Sequence, residues 1–219
     1  MKISNRLKEI SKFIDNKRCT VDVGCDHALL PIYLIKEGKS LSAIAVDNKT
    51  EPLDSAKENI KKYNLESKIK TILSDGLTKV DPNDYDSVVI SGLGGETIRE
   101  ILKNGPLNDK AELILEANKN NNELRTFLSL NSFLITDEVM IKDKGHFYTI
   151  IKAIKTDKIV KLTDSEILFG PIILKENSDI FKEYLTYNIS ILEKQLNSNN
   201  KDEIEKKISI YKGVLKWNY

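Results

Sequence analysis

Residues 21–31 read Val-Asp-Val-Gly-Cys-Asp-His-Ala-Leu-Leu-Pro, and they decide the fold. An apolar run with the look of a buried strand meets an acid, a glycine and then Asp26-His27 before helix-forming residues, which is the order of a strand-to-helix nucleotide-binding turn. The second glycine of the usual G-x-G is missing. Asp26 stands in its place, so a side chain that can do chemistry replaces one that only lets a ligand come close.

Outward from this turn, strand and helix alternate. Thr20 to Val23 is the first strand, and Ala28 to Glu37 is a helix ended by Gly38. Leu41 to Val46 is the second strand, followed by a helix from Glu51 to Tyr63 that tolerates Pro52 in its first turn. Ile69 to Leu73, Ser87 to Ile90 and Leu113 to Glu116 are further strands, with Ser91 to Gly95 breaking the fourth. Helices from Glu96 to Lys103 and from Asn121 to Leu130 complete the alternation. Phe133 to Lys142 and His146 to Lys155 then form two strands joined by Asp143-Lys144-Gly145, a hairpin signal in which Gly145 takes positive φ.

Repeated strand, crossover and strand predict an α/β fold: a doubly wound, Rossmann-like parallel sheet with helices on both faces, closed by an antiparallel hairpin. That reversed edge resembles the class I S-adenosylmethionine methyltransferases and is absent from nicotinamide-type Rossmann domains. Beyond Lys161 the composition turns helical. Phe181, Tyr184, Leu185, Asn188, Leu192 and Gln195 trace one face, and Ile204, Ile208, Tyr211 and Leu215 another at a heptad-like step. With Asn197-Ser198-Asn199-Asn200 as a polar turn between them, the tail reads as a coiled-coil-like antiparallel hairpin. The expected division is 1–160 for the catalytic domain with its N-terminal helix, and 161–219 for the tail.

The 219 residues, 40% hydrophobic and 31% charged, suit a globular α/β core with an appendage. No apolar run approaches the roughly 18 residues of a membrane span, and no signal-peptide pattern opens the chain, so a cytoplasmic protein is expected. Cys19 and Cys25 flank one strand in a geometry awkward for a disulfide and too sparse for zinc, which predicts free thiols. With two histidines and no cysteine cluster, no catalytic metal is expected. The net charge of +1 carries no argument for nucleic-acid binding. The first twenty residues, however, hold Lys2, Arg6, Lys8, Lys12, Lys17 and Arg18, with Ile3, Leu7, Ile10, Phe13 and Ile14 at helical spacing. This basic amphipathic helix is either a solvated outer face or a phosphate-contacting surface through Arg6, Lys8 and Lys12.

Ligands of open α/β sheets bind at the carboxyl ends of the parallel strands, where four loops converge. Asp22, Gly24 and Cys25 supply backbone donors for a cofactor's polar tail. Asp47, with Asn48 beside it, lies about 20 residues beyond Gly24, the separation at which an acid accepts hydrogen bonds from ribose hydroxyls. Asp75 and Gly76 end the third strand, where the acid could accept an adenine amino hydrogen. Gly92-Leu93-Gly94-Gly95 ends the fourth, a backbone floor on which donor and acceptor could meet. Ordinary turn chemistry is the alternative for each.

Val21 to Pro31 is similar to the D-I-G-S-D-H-A-Y-L-P segment of the bacterial tRNA (adenine-N1)-methyltransferases that modify the adenine at position 22. Ile90 to Gly95 resembles their I-A-G-M-G-G, and Asp75-Gly76-Leu77 their D-G-L. Arg6-Leu7, Asp143 to Tyr148 and Phe169-Gly170-Pro171 extend the resemblance over the whole chain. The chain departs from the family's L-Q-P-N, having Leu115-Glu116-Ala117-Asn118, so that Glu116 places a negative charge near a substrate site. Asp47-Asn48 stands for Gly-Glu, Cys25 for serine and His146 for lysine.

The resemblance implies transfer of the sulfonium methyl of S-adenosylmethionine to N1 of a tRNA adenine. N1 is occupied by pairing in a duplex, so the target base must be unpaired or flipped. Asp26 is assigned to accept from the adenine N6 amino group and to favour the cationic product, His27 to orient that carboxylate or stack on the base, and Asn118 to meet the base edge. Structural alternatives are that Asp26 caps the next helix, His27 is a satisfied, partly buried histidine, and Asn118 closes a turn. Two other classes stand beside this one: a non-catalytic RNA-binding protein on a decayed methyltransferase fold, and a methyltransferase of a small molecule or protein. The sequence leaves the oligomeric state open, a monomer included.

Overall fold

The computed structural model describes residues 1, 3–196 and 200–216. Lys2 of the basic N-terminal run and Asn197, Ser198 and Asn199 of the expected polar turn lie outside the described residues. Helix α1 (Asn5–Lys12) precedes strand β1 (Lys17–Val23), and α2 (Leu29–Lys36), β2 (Ser40–Asp47), α3 (Thr50–Lys62) and β3 (Ile69–Leu73) follow. Next come β4 (Ser87–Leu93), α4 (Gly95–Asn104), β5 (Glu112–Ala117), α5 (Asn121–Leu130) and the hairpin β6 (Phe133–Asp143) and β7 (His146–Lys155). The seven strands form one sheet in the order β3-β2-β1-β4-β5-β7-β6. The first five strands pair in parallel, and β7 enters antiparallel between β5 and β6.

Strand alternation sends Val21, Val23, Val88 and Ile90 into a core with Ile98 and Leu102 of α4 and Leu124 and Leu128 of α5. On the other face Ala43 and Ala45 leave room for Ile32 and Ile35 of α2 and Leu53, Ala56 and Ile60 of α3. Helix α1 starts at Ser4, whose hydroxyl accepts the Leu7 N–H at 3.2 Å, and buries Ile10 against Leu30, Leu34, Val89 and Ile150. The β6–β7 turn puts both Lys144 (φ 50°) and Gly145 (φ 83°) in the left-handed region, a type I′ pattern rather than the single positive φ expected.

Two element boundaries depart from the sequence reading. Strand β1 begins at Lys17, which pairs with Ser40 of β2, and the Asp86 carboxylate accepts the N–H groups of Arg18 and Cys19 at 2.9 and 3.1 Å. Strand β4 runs through the expected break to Leu93, with a register shift between Ser91 and Leu93 that bulges Gly92 out of the ladder.

The tail opens with two short helices the sequence did not suggest, α6 (Asp164–Phe169) and α7 (Pro171–Glu176), before α8 (Asp179–Lys194) and α9 (Lys201–Leu215). Helix α9 folds back so that its Tyr211 packs against Tyr184 of α8 and Phe169 of α6. This aromatic cluster, with Phe181, Leu185 and Val214, is seated on Met140 of β6. A buried ion pair fastens the junction: Arg125 Nε donates to Glu138 Oε1 at 2.8 Å, Arg125 Nη1 to the carbonyls of Ile167 and Leu168, and the Ile172 N–H to Glu138 Oε2 at 3.1 Å. Gly170, at φ 101°, leaves the space that carboxylate needs, since a Cβ there would lie inside hydrogen-bond distance of both its oxygens.

Candidate active site

The carboxyl ends of β1 to β4 enclose a cavity of about 300 Å³. Its polar side is Asp47, Asn48, Lys49 and Asp75, and its apolar wall is Val23, Pro52, Leu93 and Ile101. Two glycines shape it. Gly24 (φ 76°) faces Leu93, whose Cδ1 would lie 3.9 Å from an added Cβ, and Gly76 (φ 56°) sits so close to Ile101 that a Cβ would come to 2.9 Å of its Cγ2. Asp47 accepts the Lys49 N–H at 3.0 Å and the Asp26 N–H at 3.4 Å, which fixes its carboxylate and leaves lone pairs for two hydroxyls. An elongated ligand with a ribose and an apolar body fits these walls.

Asp22 lies beneath this cavity rather than in its lining. Burial, and then the nearby Asp47 charge, push its carboxyl up to about 7. The expected backbone donors are not available: the N–H groups of Gly24 and Cys25 both donate to the Val46 carbonyl, at 2.8 and 3.0 Å. Gly24 therefore contributes shape instead of hydrogen bonds. Cys25 is buried with Ala28 and Ile32 under α2, its thiol pushed far up chiefly by burial, so it is a core residue and not a cofactor contact.

At the mouth stand Asp26 and His27, both exposed, with His27 Nε2 3.6 Å from Asp26 Oδ1. Asp26 takes φ 48°, the left-handed conformation that a glycine ordinarily supplies at this place in the turn. It does not cap α2, whose N-cap is Ala28 with no side-chain hydrogen bond, so the capping alternative falls. His27 is not an internally satisfied histidine either, because half of its side chain is exposed.

The Gly92 bulge (φ 80°) is held at both ends. Its N–H donates to Glu116 Oε2 at 2.9 Å, and its carbonyl accepts from Asn118 Nδ2 at 2.6 Å. Arg6 Nη1 closes on the same Glu116 oxygen at 2.9 Å, and its guanidinium stacks 5.3 Å from the centroid of Tyr148. Arg6 is thus the counter-ion of Glu116, with part of its guanidinium still at the surface. Glu116 is fully buried and lends no charge to an open site. Lys12 is paired with Glu9 at 2.7 Å, and Lys8 is the exposed cation of the expected trio with no such pairing among the described residues. Only Leu93, of the pair Gly92 and Leu93 expected to touch cofactor, lines the cavity. Among the described residues, no group of three or more His, Cys, Asp and Glu side chains could hold a metal ion, and no helix is long and apolar enough to cross a membrane.

Residues 20–216 match the sequence model of the tRNA (adenine(22)-N(1))-methyltransferases. The chain belongs to this family. The tRNA (adenine(22)-N(1))-methyltransferase of Bacillus subtilis is 31% identical over 195 residues, which span 86% of this chain and 82% of that protein. Sp1610 of Streptococcus pneumoniae, solved in complex with S-adenosyl-L-methionine, superposes with a TM-score of 0.91 at 32% identity, covering 98% of this chain and all of that one. The TrmK protein of M. capricolum, in complex with S-adenosyl-homocysteine, has a TM-score of 0.86 at 34% identity over 98% of both chains.

Among the cavity-lining residues that the sequence reading does not single out are Thr97 and Ile101 of α4, Lys49 and Pro52 at the start of α3, and Ser74 after β3. Thr97 and Ile101 are one turn apart on the helix that follows the glycine-rich turn, so their shared face was readable once that helix was oriented. Glu116 was noticed as a charge, but its burial depends on Arg6, 110 positions away.

Proposed function

We propose that the chain methylates N1 of adenine 22 in tRNA with the cavity at Asp47 holding the methyl donor and the Asp26-His27 turn receiving the base. S-adenosylmethionine, when bound, supplies a sulfonium methyl that passes to the N1 lone pair, leaving the thioether and a cationic adenine. The adenine N1 is neutral and carries its own lone pair, so no side chain has to remove a proton before attack. Positioning is the chain's main contribution.

Asp47 receives the ribose hydroxyls, with Asn48 beside it, and Asp75 the adenine amino group of the donor. Leu93, Pro52 and Ile101 exclude water from its apolar flank. At the mouth, Asp26 accepts a hydrogen bond from the N6 amino group of the target base, and its negative charge opposes the positive charge that develops on the ring. His27 holds that carboxylate. Asn118 gives one N–H of its amide to the Gly92 carbonyl, and its Oδ1 and second N–H are offered to the base edge.

The exposed, glycine-like conformation of Asp26 carries this reading. A carboxylate strained into the open beside the cofactor cavity, with no cap to make, is placed for a ligand. The non-catalytic alternative is not favoured: relatives with this fold hold S-adenosylmethionine or S-adenosyl-homocysteine, and the altered loop at Leu115 to Asn118 still closes on Gly92. Lys8, exposed on α1, adds a phosphate contact. Incubation with labelled S-adenosylmethionine and tRNA carrying adenine or guanine at position 22, followed by nucleoside mass spectrometry, tests the function. One N1-methyladenosine per adenine-22 tRNA and none in the guanine variant is expected; methylation elsewhere contradicts it.

A further inference from the structure

A bulge frees the N–H of its extra residue from the ladder, and a buried N–H without a partner is costly. Glu116 supplies that partner for Gly92 from the facing strand, where the register pairs Ser91 with Glu116 and Leu93 with Ala117. The choice of a carboxylate is expensive. The Glu116 side chain is fully buried, and among the described residues its Oε1 has no hydrogen-bond partner and the half-buried Arg6 is the cation that pairs with it. Simple packing would favour an apolar residue here, but that would leave the Gly92 N–H without its acceptor. The bulge is also the hinge of the site: the residue after Gly92 is Leu93, whose side chain walls the cavity against Gly24, and whose carbonyl accepts the Asn118 N–H at 2.9 Å.

We propose that Glu116 is a positioning residue for methyl transfer, fixing the Gly92 peptide and through it the Leu93 wall and the Asn118 amide between which donor and acceptor must meet. Arg6 serves it as counter-ion, so the N-terminal helix is part of the catalytic frame. This rests on the methyltransferase reading above.

The test uses the full chain and compares Glu116→Ala with Glu116→Gln, measuring kcat and KM for tRNA, S-adenosylmethionine affinity by calorimetry, and thermal stability. Glu116→Ala is expected to lower kcat at least about tenfold, with KM and cofactor affinity each within about threefold, because misplacement acts on the transition state more than on binding. Glu116→Gln keeps the acceptor and is expected to recover kcat to within about threefold. If the alanine variant does not fold, Glu116→Met, which fills the same space without an acceptor, takes its place with the same expectation. An unchanged kcat, a loss residing wholly in cofactor affinity, or a glutamine variant as slow as the alanine one overturns the proposal. A wild-type chain that binds no cofactor or methylates no tRNA overturns the functional reading instead.

Discussion

The backbone N–H of Asp26 points at the carboxylate of Asp47, 3.4 Å away, so the first loop of the sheet is tied to the second through the residue that replaces a glycine. On one side of this contact is the cavity proposed for the methyl donor, and on the other the exposed turn proposed for the base.

Asp47 serves both sides, and removing it has a double effect. Asp47→Ala takes away the acceptor for the Asp26 and Lys49 N–H groups as well as the ribose ligand. S-adenosylmethionine affinity by calorimetry should fall at least about tenfold, near 1.4 kcal/mol. Affinity within a factor of two of wild type would remove Asp47 from the cofactor site.

Asp26→Gly restores the missing glycine and separates strain from chemistry. At φ 48° a glycine avoids a conformational cost of about 1 kcal/mol that the aspartate bears. The variant should be as stable as wild type or slightly more so in urea unfolding, bind cofactor normally and methylate poorly. A destabilised variant would mean that the Asp26 carboxylate contributes to the fold.

Asp22 makes stability depend on pH. Its carboxyl lies at about 7 when folded and at 3.8 in the ordinary state, so between these values the folded chain holds a proton that the unfolded chain has released. Stability of the cofactor-free chain should therefore decline as pH rises from about 4 to about 7 and level off above. Asp22→Asn removes this contribution. Denaturation curves at pH 5 and pH 8 should differ less in the variant than in wild type, and an equal difference would mean that Asp22 is not the group responsible.

The tail junction leaves no room for a side chain at Gly170. Gly170→Ala drives a methyl group into the Glu138 carboxylate and strains φ 101°, which should cost about 3 kcal/mol by disturbing the buried pair with Arg125. Urea unfolding measures it, and a loss under about 1 kcal/mol would show that the junction can relax. Truncation after Lys175 should destabilise the fold as well, because it strips Phe181 and Leu185 from Met140 and exposes the apolar cluster on β6.

Much of this was legible in the chain because its signals are local. The hydrophobic alternation, the acids at strand ends and the Asp143 to Gly145 turn each report on their own neighbourhood, whereas the strand order, with β7 between β5 and β6, is a long-range property. What escaped depends on long-range pairing. Nothing near Lys17 tells that it pairs with Ser40 of β2 or that Asp86 accepts the N–H groups beyond it. A basic helix looks like a phosphate surface until Glu116 is seen to claim Arg6. The glycines of residues 92–95 read as a strand break, whereas Glu116 turns the first of them into a bulge within β4. Cys25 was placed with the cofactor by adjacency, but the turn directs it into the core under α2.

The division of the turn between cofactor and base is tested most directly by Asp26→Asn, which keeps size and left-handed tolerance but removes the charge. Single-turnover methylation of adenine-22 tRNA should slow at least about 100-fold while calorimetric affinity for S-adenosylmethionine stays within about twofold of wild type. A variant that methylates at nearly the wild-type rate, or one that loses cofactor binding in step with activity, would contradict the account.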